Sequence, residues 1–331
     1  MSSEIELKFL TTPEQLERLQ TVLIAKEAQH TRQHLVNIYF DTPERLLQQH
    51  KVALRIRKAG ERFIQTLKTK GKSVGGLHQR NEWEWDLDKP VLNGDYLATA
   101  EWPEQVSIDS LAPLFETNFV RTQFVVRHNG ALFEVACDQG AVEAGGKSSP
   151  ICELELEIKE GAVPDLIGFA QSLLQQVGCY PSDISKGERG YYLSGCLEFK
   201  PGSARIKSAM TIAQFASYQV EQWIAGVDQF ILTMEPRFLA KSSQALSVLM
   251  QLDDAGLIFD AGVACDDVTF ARVAGQFDEH RRLLEQIMHA CSNDAAPTGA
   301  RDSIVRDLCE SSDMAMIALA IMEIATQSGL P

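Results

Sequence analysis

The sequence predicts an α+β protein: an eight-stranded antiparallel β-barrel with flanking helices, followed by a small all-α domain. Three observations predict this fold class. Several short segments of the first two hundred residues alternate charged and apolar side chains, which is the period of a strand with one buried face. Glycine-containing turns separate these segments, as hairpins of an antiparallel sheet require. Beyond about residue 200 the apolar residues follow the helical period instead.

The first predicted strand, EIELKF at residues 4–9, shows the alternation most clearly. Glu4, Glu6 and Lys8 share one face of the extended chain, and the apolar residues between them share the other. Side chains two residues apart on one face stand about 6.5–7 Å from each other. Two carboxylates at this spacing can reach one metal site while the lysine contacts an anion.

The elements that follow the first strand are predicted in chain order. Thr12 is the expected N-cap of a helix that has Pro13 in its first turn and runs to about residue 25. A second helix is predicted over residues 164–177, opened by a proline and closed by a glycine. Between these helices, strands are predicted near residues 34–41, 51–58, 62–70, 79–87, 119–128, 131–138 and 150–159.

Charged residues recur two or four positions apart along these strands. One such strand is equally well explained by the solvated face of a sheet. Several strands that mix acids and bases favour a closed sheet around a polar lumen that binds a metal and a polyanion. The recurring sets are Arg55 with Arg57, Lys68 with Lys70, Glu82 with Glu84, Glu134 with Asp138, and Glu153 with Glu155 and Glu157.

The second half of the chain has a different composition and period. Residues 1–200 form the predicted barrel domain, and residues 201–331 form the predicted helical domain. The sequence KPGS near residue 200 marks the boundary, and residues 293–299 form a linker between the last two helices. The predicted helices of this domain cover residues 209–233, 237–251, 267–291 and 302–326.

Composition limits the classes of partner. The chain has 331 residues and a net charge of −14, which argues against nucleic acid as the main partner. Residues 201–331 hold 9 Lys and Arg against 17 Asp and Glu, so that this part is poorly suited to a polyanion. No run of 18 apolar residues and no secretory signal is found, which predicts a cytoplasmic protein without a membrane span. The seven scattered cysteines are expected to be free thiols.

Several motifs occur in a fixed order from the N-terminus to about residue 195. This ordered set resembles the CYTH superfamily, the triphosphate tunnel metalloenzymes. The motifs are Glu4-x-Glu6-x-Lys8, ALRIRK (53–58), QTLK (65–68), RNEWEW (80–85), FVRTQF (119–124), FEVACDQG (133–140), CELELE (152–157) and SKGERG (185–190).

The resemblance implies a role for each charged residue inside the tunnel. The expected cofactor is Mg²⁺ or Mn²⁺, with two divalent ions. The implied catalytic residues are Glu4, Glu6 and Lys8. The implied metal ligands are Glu4, Glu6, Asp138, Glu153 and Glu155. The implied substrate-binding residues are Lys8, Arg55, Arg57, Lys68, Glu82, Glu84, Arg121 and Lys186, with Arg127 as an alternative to Arg121.

The implied activity is metal-dependent hydrolysis of inorganic triphosphate to pyrophosphate and phosphate. Thiamine triphosphatase, nucleoside triphosphatase, class IV adenylate cyclase and a non-catalytic polyphosphate or nucleotide sensor stay open as alternatives. Residues 216–252 resemble a degenerate opening of a CHAD domain, a helical module that follows many CYTH domains. Because this part is acidic, we expect a structural segment or a homodimer interface. His280 and His289 are expected on helix surfaces.

Overall fold

The structure is a computed structural model. It describes residues 2–26, 28–69, 71–74, 77–199, 210–258, 264–265, 268–269, 274–293, 299–310 and 313–327. The predicted boundary near residue 200 and most of the predicted linker 293–299 lie outside these residues, as does Lys70.

One sheet contains the strands of the N-terminal two hundred residues. Their bounds are β1 (Ser2–Leu10), β2 (Gln29–Asp41), β3 (Ala53–Ala59), β4 (Arg62–Lys68), β5 (Lys72–Val74), β6 (Leu77–Leu87), β7 (Ala112–His128), β8 (Ala131–Ala144), β9 (Lys147–Glu160) and β10 (Tyr180–Pro181). A separate pair, β11 (Ala264–Cys265) and β12 (Val268–Thr269), lies in the second half of the chain.

Eight of these strands close into a barrel. Their order around the ring is β1, β9, β8, β7, β2, β3, β4 and β6, and β6 pairs again with β1. All of these pairings are antiparallel. Strand β1 closes the ring by pairing its first part, Ser2–Leu7, with β6 and its last part, Glu6–Leu10, with β9. The predicted eight-stranded antiparallel barrel is confirmed.

Several strands are longer than predicted, although the extra residues include buried apolar side chains such as Phe115 and Val142. Strand β7 begins at Ala112 instead of residue 119, and β8 ends at Ala144 instead of residue 138. These extensions continue the ladder of backbone hydrogen bonds, which does not require alternating side chains. The turn between β8 and β9 is Gly145-Gly146, whose φ angles of 56° and 77° favour glycine.

Helices lie outside the barrel and make up most of the second half of the described chain. None of them, within the residues that the structure describes, has the length and apolar content of a membrane span. Their bounds are α1 (Pro13–Ala25), α2 (Leu46–Gln49), α3 (Gly94–Leu97), α4 (Val163–Leu174), α5 (Lys186–Leu193), α6 (Ile212–Thr233), α7 (Arg237–Asp254), α8 (Ala274–Asn293), α9 (Ala300–Leu308) and α10 (Asp313–Gln327).

The helix predicted over residues 302–326 is wrong as a single element, because the structure has α9 and α10 in its place. Helix α9 ends at Leu308, and its C-cap Cys309 leaves helical geometry. The apolar period alone hid this break, since both short helices carry apolar stripes. The helix α1 matches the prediction: the side chain of Thr12 accepts a hydrogen bond from the backbone N–H of Gln15.

The outer face of β1 is buried by helices, so that its inner face is free to line the barrel. Leu7 and Phe9 belong to one hydrophobic cluster with residues of α1 and α4, including Leu16 and Ile167. Helix α10 enters the same cluster through residues such as Leu319, and its other side joins the core of the helical segment. The barrel and the helices therefore share packing through α10.

A buried aromatic group also joins the two parts. Trp223 of α6 donates from Nε1 to the Tyr180 hydroxyl at 2.6 Å, and the His280 Nε2 lies 2.8 Å from the same hydroxyl. His280 is 7% exposed, so that its predicted place on a helix surface is wrong. A polar histidine ring is expected at the surface, because the sequence alone does not show the buried tyrosine hydroxyl with which this ring pairs.

We expect Trp223→Ala to lower the free energy of unfolding by about 3–5 kcal/mol, because it empties a fully buried site and leaves the Tyr180 hydroxyl without its donor. Denaturant titration followed by far-UV circular dichroism measures this loss. If the free energy of unfolding fell by less than about 1 kcal/mol, this contact would not be what holds the helices on the barrel.

Candidate active site in the barrel

The barrel encloses a cavity of about 390 Å³ that is lined by charged side chains of both signs. Alternate residues of each strand point into it, as the sequence pattern predicted. The acids that line it are Glu4, Glu6, Glu82, Glu84, Glu134, Glu155 and Glu157. The cations that line it are Lys8, Arg55, Arg57, Arg62, Lys68, Arg80, Arg121, Lys159 and Lys186.

The two glutamates of β1 lie in different electrostatic environments. Glu4 accepts hydrogen bonds from Lys68 Nζ at 2.7 and 2.9 Å and from Arg80 Nε at 3.0 Å. Burial alone would raise the pKa of Glu4, but Lys68 and Arg80 hold it well below its ordinary value. Glu6 accepts from Arg80 Nη2 at 3.0 Å, yet burial and the charge of Glu155 raise its pKa. Glu6 therefore lies where negative charge is in excess.

The arginines of β3 have weaker partners than Arg121 of β7, which Asp138 and Glu155 hold. Arg57 donates from Nε to the side-chain oxygen of Asn37 at 2.9 Å, and this partner is neutral. Burial and the charges of Arg55 and Arg121 lower the pKa of Arg57 to about 10. The Nε of Arg55 is buried and has no hydrogen-bond partner among the described residues. An anionic ligand in the cavity could therefore pair with the arginines of β3.

The glutamates of β1 and the arginines of β3 and β7 lie on different walls of the barrel. In the ring of eight strands, β1 lies opposite β2, and β3 and β7 flank β2. Glu4 and Glu6 on β1 thus face the wall that carries Arg57 and Arg121. A ligand that spans this cavity meets carboxylates on one wall and guanidinium groups on the other.

Two of the predicted metal ligands lie behind the cavity wall. Asp138 and Glu153 have no exposed surface. Asp138 accepts two hydrogen bonds from Arg121, each 2.7 Å long. Glu153 is paired with Lys186 Nζ at 2.7 Å and with Arg189. In this arrangement both carboxylates hold cations in place.

Lys186 is the center of this ionic network. Its Nζ lies 2.8 Å from Asp138, 2.7 Å from Glu153 and 2.8 Å from Glu155. Although burial favours the neutral amine, these carboxylates raise the pKa of Lys186. Glu155 also accepts from Arg121 at 2.6 Å, and Lys186 and Arg121 hold its pKa well below its ordinary value despite burial. Lys186 stays charged at the cavity surface.

The remaining predicted residues are also placed by the structure. Glu82 lies 3.3 Å from Lys68 Nζ, and Glu84 accepts a hydrogen bond from Thr66 at 3.2 Å. Both line the cavity. Arg127 is largely exposed and pairs with Glu160 on the barrel surface, whereas Arg121 lines the cavity. The preference for Arg121 over Arg127 is therefore consistent with the geometry.

Sequence reasoning missed Arg80 and Arg189. Arg80 is two residues before Glu82 on β6, so that the alternation placed it on the inner face and could have found it. Arg189 lies three residues after Lys186 on α5, a spacing that puts both on one side of the helix. This signal was available in the motif at residues 185–190.

The inward carboxylates of the cavity are the candidate ligands of a divalent metal ion. Among the described residues, no three His, Cys, Asp or Glu side chains are already grouped to hold a metal ion. The inward carboxylates Glu4, Glu6 and Glu155 are instead paired with cations or crowded by each other. Hard oxygen donors of this kind fit Mg²⁺ or Mn²⁺, and a divalent ion beside Glu6 would relieve the repulsion that raises its pKa.

The chain is similar to several known proteins. The chain is 37% identical over 195 residues to an inorganic triphosphatase from Haemophilus influenzae. The match covers 58% of this chain and 55% of that protein, so that the chain spans about half the length of this curated relative.

Two solved structures are similar to part of the chain. One is a proposed adenylyl cyclase from Hippeastrum with a dominant triphosphatase activity, at 22% identity and a TM-score of 0.46, covering 59% of this chain and 97% of that one. Another is an inorganic triphosphatase at 20% identity and a TM-score of 0.21, covering 50% of this chain and 79% of that one.

The family model of the CYTH domain matches residues 2–191. This range contains all eight strands of the barrel and every charged residue that lines its cavity. The chain belongs to the CYTH domain family.

Proposed function

We propose that this barrel hydrolyses inorganic triphosphate to pyrophosphate and phosphate with the help of a divalent metal. The observation that carries the proposal is the incomplete pairing of the two arginines of β3. Among the described residues, Arg57 hydrogen-bonds to the neutral side chain of Asn37 and has a lowered pKa, and the Nε of Arg55 has no hydrogen-bond partner. A polyanion supplies the acceptors and the negative charge that this wall lacks.

The opposite wall supports a metal-binding role for Glu4 and Glu6, with Glu155 beside them. These three carboxylates reach the cavity, whereas Asp138 and Glu153 would reach a metal only if Lys186 moved away. A bound Mg²⁺ or Mn²⁺ would neutralise phosphate charge and polarise a phosphoryl oxygen. The family resemblance implies the same cofactor, and the number of ions stays a prediction.

The residues of this chain would act mainly by positioning. In the reaction, a water oxygen forms a bond to the terminal phosphorus and the water gives up one proton to the solvent, while the bridging P–O bond breaks and its electrons leave with pyrophosphate. Arg57 would hold the anion by two-pronged hydrogen bonds, Arg121 would add a contact from its Nη1, and Lys8 and Lys186 would act as point charges. Phosphoryl transfer needs little covalent work from a protein, so that such a cage suits it.

The curated relative and the family support inorganic triphosphate as the first choice of substrate. Thiamine triphosphate, nucleoside triphosphates and cyclisation of ATP are alternatives that use the same tunnel with another organic group. Binding without turnover would correspond to a polyphosphate or nucleotide sensor. A cytoplasmic location and a homodimer formed through the helical segment also stay predictions.

Release of phosphate from tripolyphosphate, ATP and thiamine triphosphate, measured with Mg²⁺, with Mn²⁺ and with a chelator, tests the proposal. We expect the highest kcat/KM for tripolyphosphate and no turnover in the chelator. A higher kcat/KM for ATP or thiamine triphosphate would overturn the choice of substrate. Tight binding of tripolyphosphate without any release would overturn the enzymatic function.

We expect Arg57→Met to raise the KM for tripolyphosphate by about 10–100-fold, because it removes a charge-assisted contact of about 1.5–3 kcal/mol. Steady-state kinetics at saturating metal measure the change. Arg127→Met is the matched control, because Arg127 is exposed on the outside of the same barrel. Equal KM values for the two variants would contradict a substrate-binding role for Arg57.

A further inference from the structure

A second cavity, of about 410 Å³, lies where the barrel meets the helical segment. We call it the junction cavity. Its walls include the apolar side chains of Leu10 from β1, Ile151 from β9, Ile231 and Leu232 from α6, and Val305 from α9. Cavities of this size with apolar walls are typical small-molecule sites when a few polar groups converge in them.

Two arginines supply the polar groups of the junction cavity. Arg189 is 3% exposed; it donates from Nη1 to the Pro150 carbonyl at 2.7 Å and from Nη2 to Glu153. Its Nε is buried and has no hydrogen-bond partner among the described residues. Arg301 donates from Nη2 to the Ser149 hydroxyl at 3.0 Å. Burial and the charge of Arg189 lower the pKa of Arg301 to about 10.

The acids near this cavity do not neutralise its interior. Asp228 accepts hydrogen bonds from the Ser182 hydroxyl and from two backbone N–H groups of the following loop, so that both its oxygens are used. Glu14 and Asp302 are exposed, as is Arg306 beside them. The cavity thus holds two neighbouring guanidinium groups, of which Arg189 is paired with Glu153 and Arg301 with the neutral Ser149, and the Arg189 Nε is a donor that the described residues do not use.

We propose that the junction cavity binds a small carboxylate with an apolar chain. Its acid group would lie between Arg189 and Arg301 and accept the hydrogen bond of the Arg189 Nε. Its chain would cover the apolar wall formed by Ile231, Leu232 and Val305. Guanidinium groups favour carboxylates through charge-assisted, two-pronged hydrogen bonds, and each buried methylene adds about 0.8 kcal/mol.

The junction cavity is connected to the tunnel through one carboxylate. Arg189 pairs with one oxygen of Glu153, and the other oxygen of Glu153 lies 2.7 Å from Lys186 Nζ. An anion bound to Arg189 would compete with Glu153 for the guanidinium charge. Glu153 would then attract Lys186 more strongly. We therefore expect the ligand to weaken triphosphate binding, an effect that rests on the proposed function, whereas the binding of the carboxylate itself does not.

Isothermal titration calorimetry of the full chain with octanoate tests the binding. We expect one site for octanoate, with octan-1-ol and acetate at least about tenfold weaker, because the alcohol lacks the charge and acetate lacks the chain. No binding of octanoate at millimolar concentration would overturn the proposal. Equal binding of octan-1-ol would overturn the role of the arginines.

Two variants locate the site. Arg301→Met removes the charge and keeps much of the side-chain volume, and Val305→Phe fills the cavity; each should weaken octanoate at least about tenfold. Arg282→Met, at an exposed position of α8 that does not line the junction cavity, should leave the affinity unchanged, and thermal melts check that all three variants fold. Unchanged octanoate affinity in Arg301→Met would place the ligand elsewhere and overturn the proposal.

The connection to the tunnel is tested by titrating tripolyphosphate, with metal, in the presence and absence of saturating octanoate. We expect a loss of affinity of about fivefold or more, and linkage requires tripolyphosphate to weaken octanoate by the same factor. Arg301→Met should abolish the effect of octanoate and retain the affinity for tripolyphosphate. Octanoate binding without any such effect would overturn the connection through Glu153. A chain that binds octanoate but no tripolyphosphate would instead overturn the proposed function.

Discussion

Replacing Glu6 with glutamine, Glu6→Gln, is expected to reduce metal-dependent phosphate release at least about 100-fold, equivalent to about 3 kcal/mol of activation free energy. The raised pKa of Glu6 follows from burial and from the nearby charge of Glu155, and a divalent ion would relieve both. The amide keeps the shape of the side chain but loses the charge that attracts the ion. Steady-state release of phosphate from tripolyphosphate measures the effect, and Glu4→Gln should behave in the same way.

The folding stability of Glu6→Gln separates a lost function from a lost fold. Because the pKa of Glu6 is raised in the folded state, the folded chain binds more protons than the unfolded chain above about pH 4.5. Ionisation of Glu6 therefore lowers the free energy of unfolding of the natural chain as the pH rises through this range. Glutamine does not titrate, so that the variant should be at least as stable as the natural chain near neutral pH.

Glu160→Gln is the matched control, since Glu160 lies at the exposed end of β9 and pairs with Arg127 outside the barrel. It should retain full activity. Calorimetry with Mn²⁺ adds a readout that does not depend on turnover: the affinity for Mn²⁺ should fall in Glu6→Gln and Glu4→Gln but not in Glu160→Gln. Full activity of both Glu4→Gln and Glu6→Gln would reject a metal-binding role for β1.

The fold could be predicted from sequence because the barrel imposes a period of two. The central inward residues of β1, Glu4, Glu6 and Lys8, are charged, and outward residues such as Leu7 are covered by α1 and α4. Strand ends were harder to predict. The first residues of β7 and the last of β8 pair with their neighbours by backbone hydrogen bonds, and their few large apolar side chains, Phe115 and Val142, stand among polar and small residues.

The inward direction of a side chain was also predictable, but its depth was not. Asp138 and Glu155 occur in similar motifs, yet Asp138 is fully buried under Arg121 whereas Glu155 reaches the cavity. Helix α5 helps to decide which carboxylate holds a cation and which one faces the lumen. Its Lys186 pairs with Asp138 although it lies on a helix and not on one of the patterned strands. The buried environment of His280 likewise depends on the Tyr180 hydroxyl, one hundred residues away in the chain.

Lys186→Met is expected to lower the free energy of unfolding by about 3–5 kcal/mol near neutral pH, because it leaves buried carboxylates without their shared cation. In the natural chain Lys186 helps to hold the pKa of Asp138, Glu153 and Glu155 low against the effect of burial. A carboxylate with a lowered pKa contributes stability above its unfolded pKa and loses that contribution as the pH falls. The deficit of the variant should therefore be complete near pH 7 and shrink as the pH falls below about 4.5.

Denaturant titrations of the natural chain and the variant at pH 7 and pH 4 measure this deficit. Lys159→Met is the matched control, because Lys159 is partly exposed near the cavity and pairs with Glu134 and Glu157; it should cost less than about 1 kcal/mol. An equal deficit at both pH values would show that Lys186 stabilises the fold by packing and not by charge. Added Mg²⁺ or Mn²⁺ tests whether Asp138 and Glu153 can also hold a metal ion. Removal of the lysine frees both carboxylates. If they bind the ion, it should stabilise Lys186→Met more than it stabilises the natural chain.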